Sequence, residues 1–369
     1  MRRSLPAKVL VLLMAVALVA AACDRGDDDE NGGNGGDNGQ AAQTEGGLLE
    51  EIQDRGTLRC GVNNTVPGFG FEEGGEIVGF DIDFCKAFAA ALLGDSEAIE
   101  LTPIDADNRF NALRSGEYDV LVRNTTWTSS RDGAEGVDFA HVNFYDGQAM
   151  MVRTDSPFQS LEDMDGTNIC VTTGTTTELN LADVFQGLGL NYKPVTFAEN
   201  PQLQEAFIAE RCDGWTSDRS QLAGIRSQWP NNQGGPDSLR ILDDVMSKEP
   251  LAPGVLDSEH ELGDAINWIV NGMIYAEELG VSSSNVDRQA SKPDNPSIAA
   301  LLGVPFEEGE PLDSGLGLPI DFMQTVLKQV GNYGEVFDAH LGPNTPLGVE
   351  RGLNALWTNG GIQYAEPIR

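Results

Sequence analysis

Strand-like and helix-like patterns alternate along this sequence in two separate runs, and this alternation limits the possible folds more than any other feature. The first run predicts strands over 58–62, 99–103 and 119–123, with helices over 81–93 and 109–115. The second run predicts strands over 168–172, 193–197 and 213–217, with helices over 178–186 and 201–209. Alternating strands and helices form mostly parallel sheets covered by helices. The sequence therefore predicts an α/β fold with two domains.

The charge balance excludes several classes of function. The 369 residues contain 58 Asp and Glu but only 23 Lys and Arg, for a net charge of −35. Such a chain has no basic surface with which to displace counterions, so we expect no nucleic-acid partner. The three histidines, His141, His260 and His340, are far apart in the sequence. A histidine-based metal cluster or catalytic triad is therefore not expected. We also expect no metal site, no cofactor and no catalytic residues.

The first 22 residues have the pattern of an export signal, with basic residues followed by an apolar run over 9–22 that ends in alanines. An apolar run of fourteen residues is short for a membrane span. Cys23 follows directly, as in bacterial lipoprotein signals, which predicts a lipid anchor on Cys23. The alternative is cleavage at an Ala-x-Ala site that leaves Cys23 unmodified. The protein is then either a lipoprotein on the outer face of the cytoplasmic membrane or periplasmic.

Residues 23–47 are rich in Asp, Gly, Asn and Gln and nearly free of apolar side chains. Such a segment buries too little surface to offset the entropy of ordering it. The composition therefore predicts an acidic tether between the anchor and the folded part of the chain.

Four further cysteines, Cys60, Cys85, Cys170 and Cys212, form an even set in an exported chain. Four cysteines allow three pairings. The local pairing, Cys60 with Cys85 and Cys170 with Cys212, keeps each bridge inside one domain. The alternative is that all four are buried free thiols.

Polar residues follow several of the predicted strands, where parallel sheets bind their ligands. These segments are 63–68, 124–131, 173–177 and 218–220. Backbone amides, threonine hydroxyls and Arg131 in the second segment suit a carboxylate, and Gly174 allows a ligand close to the third. Asp218 suits an ammonium group. Each segment also has a purely structural interpretation, such as a helix cap at Thr177, but together they match the two ends of an amino acid.

Several segments resemble the amino-acid-binding proteins of ABC transporters, which have the periplasmic-binding-protein type II fold. They are 79–85, 123–132, 174–181, 331–335 and 351–357. Within that group, the sequence over 48–369 is most similar to the general L-amino-acid-binding proteins. The resemblance implies a monomer with a ligand cleft between two lobes and two hinge crossings, near 151–153 and 246–248. One lobe would comprise 48–150 and 247–369, and the other 151–246.

The resemblance also implies a role for individual residues. Arg131 would bind the α-carboxylate with help from Thr126 and Asn124, while Thr175 or Thr176 would donate from the opposite lobe. Asp218 would receive the α-ammonium. The side-chain pocket would be shaped by residues in two loops, namely Asn63, Thr65, Asp107 and Asn108.

The implied function is capture of L-amino acids, with broad and polar-tolerant specificity, by lobe closure and their delivery to an ABC permease. Arg109, Arg123 and Arg219 would favour acidic side chains if they face the cleft. The alternative is an exported enzyme on the same fold, such as a cyclohexadienyl-type dehydratase. That reaction needs a well-placed general acid, and no His or Glu in the strand-end segments stands out beyond Glu178, which favours binding for transport.

Overall fold

The computed structural model describes residues 47–369. The predicted signal over 1–22, the predicted lipidation site Cys23 and nearly all of the tether over 23–47 lie outside the described residues. Among residues 47–369, no helix has the length and apolar character needed to cross a membrane.

The predicted alternation of strands and helices is confirmed, with short strands and C-terminal helices added. The strands are β1 (Leu58–Val62), β2 (Thr65–Val66), β3 (Gly70–Glu73), β4 (Glu76–Val78), β5 (Ile99–Pro103), β6 (Val120–Val122), β7 (Val137–Phe139), β8 (Phe144–Asp146), β9 (Gln148–Arg153), β10 (Thr167–Thr172), β11 (Tyr192–Phe197), β12 (Gly214–Asp218), β13 (Leu239–Ile241), β14 (Glu249–Leu251) and β15 (Gly254–Leu256). The helices are α1 (Leu48–Arg55), α2 (Phe80–Leu93), α3 (Arg109–Arg114), α4 (Ser129–Gly133), α5 (Thr176–Leu188), α6 (Asn200–Ile208), α7 (Arg219–Ser227), α8 (His260–Glu278), α9 (Val286–Ser291), α10 (Pro296–Leu301), α11 (Phe322–Gln329) and α12 (Tyr333–His340).

The first lobe is built on a five-stranded sheet in the order β5-β1-β6-β15-β7. Strands β5, β1 and β6 are parallel, and β15 and β7 complete the sheet in antiparallel pairs. Helix α2 packs its apolar residues against this sheet and against α11 and α12. Aromatic side chains of α2 and α12, such as Phe80 and Tyr333, meet edge to face in this core.

The second lobe is built on a five-stranded sheet in the order β11-β10-β12-β9-β13. Strands β11, β10 and β12 are parallel, and β9 pairs antiparallel with β12. A compact apolar core that includes Trp215, Phe207 and Trp229 covers one face of this sheet. Because each lobe contains three parallel strands, each sheet has an edge where carboxyl ends of strands meet and a ligand can lie.

Two connections join the lobes, and their strands β8 and β14 pair with each other in antiparallel register. The sequence predicts the first crossing at Met151–Arg153, but these residues lie inside β9 of the second sheet. Residues 148–150, which the prediction assigns to the first lobe, pair with β12 as well. The pairing puts the first crossing at Gly147. Ser247 and Lys248, just before β14, lie where the sequence predicts the second crossing.

The local cysteine pairing is confirmed. Cys60 of β1 is bonded to Cys85 of α2, with their Cα atoms 6.5 Å apart. Cys170 of β10 is bonded to Cys212, just before β12, with their Cα atoms 5.6 Å apart. Each bridge joins a central strand to a nearby element of the same lobe.

The start of α2 fixes the loop that follows β6. Gly79 has φ 142°, and a Cβ there would lie 2.2 Å from the carbonyl oxygen of Phe69, so no other residue fits. Asp81, two residues later, accepts a 2.7 Å hydrogen bond from the backbone N–H of Asn124. Asn124 is held at φ 32°. This buried contact gives the Gly79–Cys85 motif a structural reason.

Candidate functional site

A polar cleft lies where the parallel strands of both sheets end. Its lining comes from the segments after β1, β5 and β6 in the first lobe and from β10, β11, β12 and the residues after them in the second. The lining residues are Asn63, Ala106, Arg109, Arg123, Asn124, Thr126, Arg131, Thr172, Thr175, Thr176, Thr177, Glu199, Asn200, Ser217, Asp218 and Gln221.

Seven of the ten predicted ligand-binding residues line this cleft: Asn63, Asn124, Thr126, Arg131, Thr175, Thr176 and Asp218. The other three do not. Thr65 lies at the cleft's flank, where its hydroxyl is 3.3 Å from the Nδ2 of Asn200. Asp107 and Asn108 are exposed at the surface, where Asn108 hydrogen-bonds to Asp105.

Arg131 is oriented by its own lobe. Its Nη1 donates a 2.8 Å hydrogen bond to the carbonyl oxygen of Thr126. Its guanidinium lies 5.4 Å from the ring centroid of Phe110, and that of Arg109 lies 4.7 Å from the same ring. The Phe110 ring therefore holds two guanidinium groups near one end of the cleft.

Three buried arginines of the first lobe line the cleft without a carboxylate partner. Across residues 47–369, no carboxylate oxygen lies within 4.0 Å of the guanidinium of Arg109, Arg123 or Arg131. Burial lowers the pKa of all three, that of Arg131 to about 10, and neighbouring arginines add to the decrease for Arg109 and Arg131. The Nε atom of Arg109 is buried without a hydrogen-bond partner. Nearby acids such as Glu199, Asp218 and Glu249 partly offset these charges, but buried guanidinium groups that form no ion pair suit an anionic ligand.

Acidic side chains provide the opposite charge in the cleft. Asp218 ends β12, is 6% exposed, and has a pKa raised well above its usual value, first by burial and then by the nearby Asp146 and Glu249. Asp146, in the hinge strand β8, has a pKa raised by burial to about 6 and accepts hydrogen bonds from the N–H and hydroxyl of Ser220. A cationic group entering beside Asp218 would favour its ionised form.

The threonines at the start of α5 have different roles. Thr175 is the N-cap of α5: its hydroxyl accepts from the N–H of Glu178 at 3.1 Å and donates to the carbonyl oxygen of Thr172 at 2.7 Å. The cap is therefore not at Thr177. The hydroxyl of Thr176 instead donates to Glu249 at 2.8 Å, and its oxygen lies 3.2 Å from Thr126 Oγ1 across the cleft.

Hydrogen bonds cross the cleft at four further points on its rim and floor. Arg109 donates to the carbonyl oxygen of Gly174 at 3.3 Å, and Asn124 to Oε1 of Gln221 at 3.3 Å. The Thr65 hydroxyl contacts Glu199 at 3.5 Å and Asn200 at 3.3 Å. The two lobes are therefore in contact, and the cleft is closed.

Some lining residues lie outside the predicted binding segments. Arg109 follows β5, and Glu199 and Asn200 follow β11, so the same strand-end rule indicates them. Gln221 lies one helical turn from Asp218. Arg219, by contrast, faces the hinge side, where its Nη2 donates to the carbonyl oxygens of 242, 243 and 244.

The sequence over residues 58–284 matches the family model of the bacterial extracellular solute-binding proteins, family 3. The chain belongs to this family. A curated relative, the general L-amino acid-binding periplasmic protein AapJ of Rhizobium johnstonii, is 45% identical over 87% of this chain and 92% of its own length. The glutamate/glutamine/aspartate/asparagine-binding protein BztA of Rhodobacter capsulatus is 42% identical over 89% of this chain and 95% of its own.

A solved structure of a periplasmic binding protein from Brucella ovis, with glutathione bound, matches this solute-binding protein with a TM-score of 0.82. The two sequences are 41% identical. The match covers 88% of this chain and the whole of the solved chain. The match extends the type II periplasmic-binding-protein fold to the C-terminal helices beyond residue 284. The two-lobed fold expected from the sequence is thus confirmed.

Proposed function

We propose that this solute-binding protein captures L-amino acids outside the cytoplasm and delivers them to the permease of an ABC importer. The relatives AapJ and BztA are named for amino-acid binding. The observation that carries the proposal is the pairing of charges in one closed cleft. Arg131, from the first lobe, has no carboxylate partner among the described residues, and Asp218, from the second, is buried opposite.

In this proposal, Arg131 binds the α-carboxylate and Asp218 the α-ammonium. A ligand that contacts both residues stabilises the closed arrangement, because each lobe holds only one of them. Closure then produces the form that the permease recognises. No covalent step is required.

The two remaining arginines favour ligands that carry a second anionic or strongly polar group. Arg109 and Arg123 have free hydrogen-bonding capacity in the cleft and lie on the same lobe as Arg131. Acidic side chains and their amides have the oxygens that such guanidinium groups bind. We propose a specificity that is broad but favours glutamate, aspartate and their amides, in keeping with the name of BztA.

The location proposed is the outer face of the cytoplasmic membrane, with a monomer held by a lipid on Cys23 and a tether over 23–47. Phase partitioning of the expressed protein with detergent distinguishes this lipid-anchored form from the alternative, a free periplasmic protein. A Cys23→Ser variant that still partitions with the membrane would contradict the lipid anchor.

The function is tested by titrating the mature chain with L-amino acids, glutathione and decarboxylated amines. L-glutamate should bind and 4-aminobutyrate, which lacks the α-carboxylate, should not. Arg131→Ala should weaken L-glutamate binding at least about thirtyfold, since loss of a buried charge-paired arginine costs roughly 2–5 kcal/mol. Arg114→Ala is the control, because Arg114 pairs with Glu135 on the surface.

Near-native affinity of a folded Arg131→Ala variant would contradict the site. Failure of every amino acid to bind, together with consumption of a cyclic amino-acid precursor, would instead support the dehydratase alternative.

A further inference from the structure

Glu249 is a buried acid at the hinge that has no basic partner among the described residues. It is 1% exposed, opens β14 and lies opposite Asp146 in the ribbon that joins the lobes. Across residues 47–369, no Lys, Arg or His nitrogen lies within 4.0 Å of its carboxylate. Arg131 is near enough for a favourable charge interaction but outside ion-pair distance, so this buried carboxylate must be satisfied by hydrogen-bond donors.

Its donors come from both lobes. Oε2 accepts from the hydroxyl of Thr126 in the first lobe at 2.6 Å and from that of Thr176 in the second at 2.8 Å. Oε1 accepts from the Nδ2 of Asn180 at 2.8 Å and from the hydroxyl of Ser247. Four donors thus surround one carboxylate.

The number of hydroxyl hydrogens determines whether Thr126 and Thr176 can donate to a ligand in the cleft. A threonine hydroxyl has one hydrogen and two lone pairs, whereas a carboxylate only accepts. The two hydroxyl oxygens of Thr126 and Thr176 are 3.2 Å apart, farther than either is from Oε2 of Glu249. Both hydrogens therefore point at Glu249, and the hydroxyls keep only lone pairs for a ligand.

We propose that Glu249 is a positioning residue that selects for a ligand's ammonium group by turning the hydroxyls of Thr126 and Thr176 into acceptors. Both hydroxyls belong to residues that line the cleft. This inference rests on the proposed function, and it reverses the role expected for these threonines, which was donation to the carboxylate. Asp218 supplies the charge for the ammonium, and the two hydroxyls supply lone pairs.

The substitution Glu249→Gln should change the two hydroxyls from acceptors to donors toward the cleft, with little change in the shape of the side chain at 249. Asn180 presents an N–H at the Oε1 position, so the amide oxygen of the introduced glutamine stays there and its NH₂ faces the threonines. Those hydroxyls must then accept from the introduced amide and are free to donate into the cleft. An ammonium loses its acceptors, whereas a carboxylate gains donors.

The test compares L-glutamate with glutarate, which lacks the ammonium, in the mature full-length chain. The ratio of the glutarate Kd to the L-glutamate Kd should fall at least about tenfold in Glu249→Gln, as expected for loss of hydrogen bonds to a charged group. Asn180→Ala is the control: it removes a donor to Glu249 from the second lobe but leaves both hydroxyls bound, so its ratio should match the wild type.

An unchanged ratio in folded Glu249→Gln overturns the inference even if both affinities fall together. If Glu249→Gln does not fold, Thr176→Val should lower the ratio and Thr176→Ser should preserve it; equal ratios in these two variants also overturn it. Failure of the wild-type chain to bind L-glutamate or any other amino acid would contradict the proposed function itself. That outcome is distinct from an unchanged Kd ratio in the Glu249 or Thr176 variants, which contradicts only the role of Glu249.

Discussion

At the scale of single residues, the burial of Asp218 would couple the binding of a ligand's ammonium group to the release of a proton. Burial, Asp146 and Glu249 all raise the pKa of Asp218, and Arg131 lowers it only partly. Asp218 in the empty site therefore keeps its proton to a higher pH than an exposed aspartate does, and an ammonium group favours the loss of that proton.

We predict that binding of L-glutamate releases up to about one proton at pH values above the usual pKa of aspartate and below the raised pKa of Asp218. Titration calorimetry in two buffers with different ionisation enthalpies measures this release directly. Asp218→Asn, which cannot ionise, should bind more weakly and release no proton. Equal binding heats in both buffers for the wild type would show that Asp218 is already ionised before the ligand arrives.

The sequence could indicate Arg131 and Asp218 because Asp218 ends a parallel strand and Arg131 lies in the segment that follows one, positions that periodicity locates. It could not indicate Glu249. This residue begins a three-residue strand and makes its contacts with Thr126 and Thr176, more than 70 positions away. Its role follows from how the hinge brings the two lobes together, which no local pattern records.

At the scale of elements, a capping box explains the Gly331–Glu335 motif. The Asn332 side chain accepts from the N–H of Glu335 at 2.9 Å, and Glu335 accepts in turn from the N–H of Asn332 at 2.9 Å. The amide of Asn332 also donates to the carbonyl oxygen of Val281 at 2.8 Å. The start of α12 is thereby joined to the segment that follows α8.

We predict that Asn332→Ala lowers the free energy of unfolding by about 1–2 kcal/mol, the usual cost of losing a helix cap, and leaves ligand affinity unchanged. Asn332→Ser retains a side-chain cap acceptor and loses the bond to Val281 without adding a charge, so it should be the less destabilised of the two. Urea unfolding followed by circular dichroism measures both. A ligand affinity that changes with either variant would mean that α12 influences the cleft.

The long elements could be predicted because a helix such as α2 or a strand such as β1 carries its own periodicity. The short strands outside the two predicted runs could not. Strands β7, β8, β13, β14 and β15 have three residues each, too few for a periodic pattern, and they form only because the sheets supply partners. The misplaced first crossing has this cause: Gly147 separates β8 from β9, and the run 148–153 gives no sign of which sheet it joins.

At the scale of the whole molecule, buried carboxyls determine how stability depends on pH. Burial raises the pKa of Asp81 to about 7 and that of Asp146 to about 6. The folded chain therefore holds protons that the unfolded chain has already lost above about pH 4. The stability from these groups is present below that pH and is lost as the pH rises through 6 to 7. The net charge of −35 acts in the same direction, since acid reduces repulsion.

We predict that the ligand-free protein has a higher Tm at about pH 5 than at about pH 8, and that Asp146→Asn reduces this difference. The side chain of asparagine stays neutral at both pH values, so the variant avoids an ionisation cost of at most about 3 kcal/mol for a pKa moved from 3.8 to about 6. Asp287→Asn is the matched control, because Asp287 is exposed and pairs with Lys328 on the surface. Thermal unfolding of the three proteins across this pH range measures the effect. An equal dependence on pH in Asp146→Asn and the wild type would show that Asp146 ionises in the folded hinge as readily as in the unfolded chain.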